Sequence, residues 1–293
     1  MMLETYMAER LPYIEATLSH LIPEDHSSHG ILSQAARYSL LGGGKRIRPL
    51  LALATVEALG SNWRKALTSA CTLELIHTYS LIHDDLPCMD NDDFRRGKPS
   101  LHKQYNEGIA TLAGDYLLTH AFYILAKDFE LDDSQKVKMI HCLADKSGGS
   151  GMIAGQILDI EAEHHNIDVN FLKNIHLKKT GQLMAASLEF GAIFSSAHAT
   201  IQADLAEFGE KIGLAFQIID DVLDITNSET KHGKKVSSDR INGKTTYVTL
   251  LGVEGCQKLA AQYHQESIGL LKKHGLENSI LTRFAQFLVA RKN

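Results

Sequence analysis

Residues 73–101, LELIHTYSLIHDDLPCMDNDDFRRGKPSL, open as an apolar helical pattern and close in a dense run of acids followed by two arginines. At 3.6 residues per turn, His77 and Asp84 fall on nearly one line of such a helix, with Ser80 between them. Pro87 cannot continue the helix undisturbed, so the ladder is expected to end or kink near Asp84 and Asp85. Two carboxylates at a helix C-terminus face the wrong end of the dipole, at a cost of about 0.3–1 kcal/mol each. Asp90, Asp92 and Asp93 add more negative charge within one turn or loop. Such self-repulsion calls for counter-charge: Arg95 and Arg96 supply part of it, and a bound divalent cation is expected to supply the rest. Taken alone, the stretch also reads as a solvated acidic loop.

The rest of the chain extends the helical reading. All five prolines (12, 23, 49, 87 and 99) lie in the first third, and the long remainder has no alternating β-branched runs. Its Val, Ile and Thr are scattered among Ala, Leu, Lys, Glu and Gln, which favours helices over strands. With 293 residues and 44% hydrophobic content a large core can be built. No linker or repeat divides the chain, so one all-α domain over residues 1–293 is expected. A formal net charge of -5 gives no reason to expect nucleic acid as a partner. No run of eighteen apolar residues suggests a membrane span. Cys71, Cys88, Cys142 and Cys256 form no CxxC, and the acidic N-terminus is unlike a secretory signal, so a reduced, cytoplasmic protein is expected.

Residues 3–21 read as an amphipathic helix with Leu3, Met7, Leu11, Ile14, Leu18 and Leu21 on one stripe. Ser27 or Ser28 is the expected cap of a second helix ending at Gly42-Gly43-Gly44. Lys45-Arg46-Ile47-Arg48-Pro49 follows, with Pro49 placed near the start of the next helix. Freed backbone, cations and a fresh helix N-terminus suit a phosphate, although a helix stop with ordinary cations is an equal reading. Helices are expected over 108–127, 132–147 and 169–194. In GGSGMIAGQILDIEAE, Gln156 and Asp159 share a face, and His164-His165 read as loop or surface. A second apolar run, FQIIDDVLD, is expected to end in acids as the first does, with Asp220 and Asp224 pointing the same way at i, i+4. Lysines 231, 234, 235 and 244 follow in a glycine-containing segment expected to be mobile.

One acidic helix end is a weak signal. Two, each followed by cations, are much less easily accidental. Mg²⁺ takes oxygen ligands, keeps waters, and bridges one or two carboxylates to substrate phosphates, while lysines and arginines clamp the remaining oxygens. The residues therefore suggest a helical protein that binds a polyphosphorylated ligand through metals. GGGKRIRP lacks Walker spacing and no kinase signature is present, which discounts nucleotide binding.

GGGKRIRP, DDLPCMDNDDFRRGKP, GMIAGQILD, KKTG, FQIIDDVLD and the later Gly-Lys pairs at 233–234 and 243–244 occur in this order from about residue 42 to 247. Together they resemble the short-chain trans-isoprenyl diphosphate synthases, closest to the bacterial farnesyl diphosphate type, with four residues between the acids of the first motif. The resemblance implies a single large all-α helical bundle around a central cavity, working as a homodimer. It implies that Asp84, Asp85 and Asp90 bind magnesium on an allylic diphosphate, and that Asp220, Asp221 and Asp224 do so from the opposite wall. Three Mg²⁺ ions per site are implied, with Mn²⁺ as a substitute. Arg95, Lys179, Lys234 and Lys244 would hold the allylic diphosphate, with Thr180 and Gln217 facing the developing cation. Lys45, Arg48, His77 and Arg96 would hold isopentenyl diphosphate. Val248, where a proline is usual, and His232, where an apolar residue is usual, depart from the pattern and bear on how the terminal loop closes.

The implied reaction joins isopentenyl diphosphate to dimethylallyl and then geranyl diphosphate by ionisation, condensation and proton loss. It needs no side-chain nucleophile, in keeping with the absence of any Ser-His-Asp or Cys-His pattern. Bulk at residue 79 limits product length in such enzymes, so Tyr79, beside the small Ser80, implies the fifteen-carbon farnesyl product. Tyr79 as plain core packing is the alternative. A geranylgeranyl diphosphate synthase, a class I terpene cyclase and a non-catalytic partner subunit are the rival readings. The cyclase is disfavoured by DDVLD in the second cluster, and the subunit by the retention of every acid and cation.

Overall fold

The computed structural model describes residues 2–230 and 245–290, with the backbone alone over 227–230. The chain forms two compact units, residues 4–140 and residues 141–293 with 1–3. Among the described residues both are built from helices, apart from one two-residue hairpin. The fold class is the all-α one expected.

The first unit is arranged around a helix that is buried nearly all round. Helices α1 (Leu3–Leu21), α2 (Ile31–Leu40) and α3 (Ile47–Ala58) precede a 3-10 turn, Trp63–Ala66, and then α4, Leu67–Asp84. On α4 every residue from Ser69 to Ile76 is buried, as are Thr78, Tyr79 and Ile82, the pattern of a core helix rather than an amphipathic one. It packs against α3 and against α6, Glu107–Lys127, which follows the short α5, Leu101–Gln104. By length and composition α6 could cross a membrane, a feature hidden from a search for uninterrupted apolar residues. Here its Ala110, Ala113, Gly114, Leu117 and Ala121 are buried.

α1 has the expected bounds, and Leu3, Ile14 and Leu18 are buried as expected, but Tyr6 and Arg10 are buried beside them while Met7, Leu11 and Leu21 are half-buried. Arg10 is held by Glu9 at 2.6 Å, Glu57 at 2.8 Å, the Tyr6 ring at 4.1 Å and the Trp63 ring at 5.1 Å. This lets a cation share an apolar face. The second helix is not capped by Ser27 or Ser28. Ser27 instead donates its amide to Asp25 Oδ1 at 2.8 Å, in an Asx-type turn, and α2 begins after Gly30.

The second unit continues α7 (Asp133–Ser147) into α8 (Met152–Ala162) and α9 (Val169–His176). The expected helix over 169–194 runs without a break, but it widens into a π turn at Leu177–Gly181, which includes the KKTG segment, between α9 and α10, Gln182–Phe194. Asp168 caps α9 by accepting from the amides of Asn170 and Phe171. The 32-residue α11, Ala199–Thr230, packs on α10, on α12 (Tyr247–Lys272) and on α13 (Ile280–Val289). Leu214, Ile218, Tyr247, Cys256 and Tyr263 lie in the shared core. The second acid cluster does not close its helix as expected: α11 runs past Asp224 to Thr230. No proline follows these acids, so nothing local stops the ladder there.

Candidate functional site

In the first unit, α2 gives way to a turn in which Gly43 and Gly44 take φ of 94° and 133°, values glycine tolerates best. At Gly44 an added Cβ would stand 2.8 Å from the Arg96 guanidinium carbon, so glycine there also leaves room for that cation. Arg46 is left-handed at φ 49°, an unfavourable conformation for a side-chain-bearing residue. Its contacts over-determine it. The fully buried guanidinium donates to Glu15 at 2.7 Å, to Glu74 at 2.8 Å and to the Leu40 carbonyl at 2.7 Å.

The sequence placed Lys45, Arg46 and Arg48 together as one basic run, and the structure divides them. Arg46 is a buried strut. Lys45 is exposed, and Arg48 is half-buried with a buried Nε that makes no hydrogen bond to the protein. Burial pushes the Arg48 pKa down to about 10; Glu74 opposes the shift and Arg96 adds to it. Burial also holds His77 well below the ordinary imidazole range, helped by the guanidinium groups of Arg48, Arg96, Arg95 and Arg46. Arg48, His77 and Arg96 thus form one electrostatic cluster over the buried carboxylate of Glu74, whose role sequence reasoning missed. Its signal was an acid inside the apolar face of α4.

Arg96 is fixed by a tight hairpin. β1 (Phe94–Arg95) and β2 (Lys98–Pro99) pair antiparallel with Arg95 opposite Lys98. Arg96 and Gly97 between them have φ of 54° and 77°, the signature of a type I′ turn. The Arg96 side chain donates to the Gly43 carbonyl and lies 4.0 Å from Glu74.

Asp84 ends α4 as expected. The following loop folds back, so that the Asp90 amide donates to the Asp84 carbonyl at 2.9 Å. The two acids are thereby brought together, both half-buried. Asp85 points elsewhere. It is buried and accepts from Arg95 Nε at 3.0 Å, and Arg95 also reaches Asp92 at 3.0 Å. Burial raises the Asp85 pKa, with Arg95 pulling it back. One turn earlier, Ser80 is half-buried and donates to the His77 carbonyl at 2.9 Å. Tyr79 is buried, and burial together with the Asp84 charge raises its pKa to about 12.

In the second unit the π turn carries Lys179 and Thr180. A Cβ on Gly155 would stand 2.2 Å from the Lys179 amide, so the glycine of GMIAGQILD lets α8 touch this turn backbone to backbone. Lys179 then reaches Asp159 at 2.8 Å, a pairing the shared face of Gln156 and Asp159 had not revealed. Thr180 Oγ1 donates to Gln217 Oε1 at 3.4 Å. On α11, Asp220 is half-buried and Asp224 exposed. Asp221 is buried, and its Oδ2 accepts the Tyr247 amide at 2.8 Å. The ring of His176 stacks on Tyr247 with centroids 5.3 Å apart, and burial pushes its pKa down to about 4. Val248 packs against the same core, and His164 and His165 are both exposed, as expected. Lys234, Lys244, His232 and most of the 228–244 segment lie outside the described residues.

Among the described residues no three His, Cys, Asp or Glu converge as a ready-made metal cage. Mg²⁺ needs only one or two protein carboxylates when phosphate and water complete its shell. Asp84, Asp90, Asp220 and Asp224 offer hard oxygen donors of that kind.

Comparison with known proteins adds an independent line. The family model described as Polyprenyl synthetase matches residues 29–280. A farnesyl diphosphate synthase of Geobacillus stearothermophilus is 43% identical over 290 residues, covering 98% of this chain and 97% of that one. A chloroplastic geranylgeranyl pyrophosphate synthase of Capsicum annuum is 42% identical over 266 residues, covering 89% and 71%. Among solved structures, an apo FPP/GFPP synthase of Zymomonas mobilis superposes with a TM-score of 0.88 at 36% identity, covering 98% of both chains.

Proposed function

Because the chain belongs to the polyprenyl synthetase family and is a short-chain prenyltransferase, we propose that it makes farnesyl diphosphate. On this reading it condenses isopentenyl diphosphate with dimethylallyl and then geranyl diphosphate, as a cytoplasmic homodimer. The observation that carries it is the retention of both acidic segments, each beside its cations, together with a buried tyrosine at 79.

Asp84 and Asp90, and Asp220 with Asp224, would hold Mg²⁺, which when bound supplies the charge neutralisation an allylic diphosphate needs to depart. Arg95 and Lys179 bind the allylic diphosphate oxygens, and Lys234 and Lys244 are assigned the same task from family resemblance. Lys45, Arg48 and Arg96 bind the diphosphate of the homoallylic substrate. His77, neutral among guanidinium groups, contributes a hydrogen bond without adding a charge. Thr180 and Gln217 present oxygen dipoles to positive charge developing on the allylic carbon. The double bond of isopentenyl diphosphate attacks that carbon, and the departed diphosphate takes the proton. The reaction requires apolar walls that exclude water, which would otherwise quench the cation.

Five more carbons would gain up to ~4 kcal/mol of burial at ~0.8 kcal/mol per CH₂. Growth therefore needs a steric stop, and Tyr79 is assigned that role. The Capsicum relative favours a second reading, a twenty-carbon product. Incubation with isopentenyl and dimethylallyl diphosphates, followed by chromatographic sizing, separates the two. A C15 product supports the first reading, a C20 product the second, and no turnover with Mg²⁺ present overturns both.

A further inference from the structure

We propose that His83, seated on Gly114, is a positioning residue for product length that acts by holding the Tyr79 ring. The inference rests on the reading of Tyr79 as the steric stop and adds what fixes that stop.

A ring that blocks chain growth must resist being pushed aside by the growing tail. The Tyr79 hydroxyl does not help: it is buried and makes no hydrogen bond to the protein. The ring is held instead by its neighbour one turn on, since residues at i and i+4 of a helix share a face. The His83 imidazole meets it edge-on, with centroids 5.8 Å apart and planes at 73°, the geometry that aromatic quadrupoles favour.

His83 is in turn anchored on a different helix. Its Nε2 donates to the Thr111 carbonyl on α6 at 3.1 Å, and Asp115 Oδ1 lies 3.9 Å away. The ring lies in volume that any side chain at 114 would need. A Cβ built on Gly114 would stand 2.1 Å from His83 Nε2 and 2.6 Å from Cδ2. Gly114, His83 and Tyr79 therefore form a stack from α6 to α4, with glycine as its seat, imidazole as its wedge and phenol as its face.

The test is the ratio of next-longer to wild-type product from isopentenyl and dimethylallyl diphosphates, measured in the full chain. His83→Ala removes the wedge. Gly114→Ala displaces it without altering α4. Each is expected to raise the ratio about two- to tenfold, the range an edge-to-face ring pair commands. His83→Ala added to Tyr79→Ala is expected to change nothing beyond Tyr79→Ala. A merely structural role would lower total turnover and leave the ratio alone. Should Tyr79→Ala lengthen the product while His83→Ala does not, this inference fails and the Tyr79 reading stands; the same holds if the two shifts add. Should Tyr79→Ala leave the product unchanged, the Tyr79 reading fails and this inference with it. If Gly114→Ala does not fold, His83→Ala and the double variant decide the matter.

Discussion

Arg46 and Lys45 are adjacent cations of one motif, and the structure gives them opposite duties, so their alanine variants should fail in different ways. Arg46→Ala leaves the buried Glu74 carboxylate without its 2.8 Å partner and removes both bonds to Glu15. Breaking a buried pair costs about 3–5 kcal/mol, against a total stability of about 5–15 kcal/mol. With an unfolding entropy near 2.1 cal/mol/K per residue over 293 residues, that loss lowers Tm by about 5–8 °C. Lys45 is exposed, and Lys45→Ala should shift stability by no more than about 0.5 kcal/mol. Losing a charged hydrogen bond to a phosphate costs about 1.5–3 kcal/mol, so Lys45→Ala should instead raise KM for isopentenyl diphosphate about ten- to hundredfold. The assay is thermal unfolding of both variants beside initial rates at fixed allylic substrate. An Arg46→Ala protein as stable as wild type, or a Lys45→Ala protein as destabilised as Arg46→Ala, would refute the division.

Other outcomes are expected from the same geometry. Excess chelator should abolish turnover and Mg²⁺ restore it; activity that survives chelation would remove the metal from the reading. Lys179→Ala should raise KM for the allylic substrate about tenfold or more, with little change for isopentenyl diphosphate; equal changes in both would count against the assignment. The His176 imidazole stays neutral in the fold down to about pH 4, whereas an unfolded imidazole takes up its proton below about pH 6.5. Stability should therefore fall as pH drops from about 6.5 toward 4, by at most about 3 kcal/mol from this group. His176→Phe keeps a ring against Tyr247 but removes the titrating group, so it should flatten the Tm profile over that interval. A variant profile as steep as wild type would show that His176 is not the cause.

Much of the fold was legible because its signals are local. The bounds of α1, the end of α4 at Asp84 and the helices over 107–127 and 133–147 follow from periodicity and from Pro87. What escaped depends on contacts distant in sequence. The π turn at Leu177–Gly181 has no breaker of its own and is shaped where Gly155 lets α8 approach. The inward turn of Arg46 is dictated by Glu15 and Glu74, 31 and 28 residues away. The I′ hairpin was passed over because two-residue strands carry no alternation to detect. Of the candidate site, the residue types and their order were readable. Which cation is a strut and which faces outward was not, because both look alike in a sequence.

The paired aspartates show the same limit, and here helix geometry supplies what the motif conceals. Consecutive residues on a helix point about 100° apart, so Asp220 and Asp221 leave α11 in different directions. Asp220 shares its face with Asp224, whereas Asp221 is buried and accepts the amide of Tyr247, the first residue of α12. That amide is one of the donors a helix start leaves without an intrahelical partner, and a carboxylate there also complements the dipole. Asp221→Ala should therefore strand a buried N–H at a cost of about 1–3 kcal/mol, lowering Tm by roughly 2–5 °C on the entropy scale used above. Added Mg²⁺ should not recover that loss. Asp220→Ala should leave Tm near wild type and raise the Mg²⁺ concentration needed for half-maximal rate. Thermal unfolding and a Mg²⁺ titration of the two variants test this directly. Matching effects on both measurements would mean that the two acids share one duty, and that the inward turn of Asp221 has no part in holding α12.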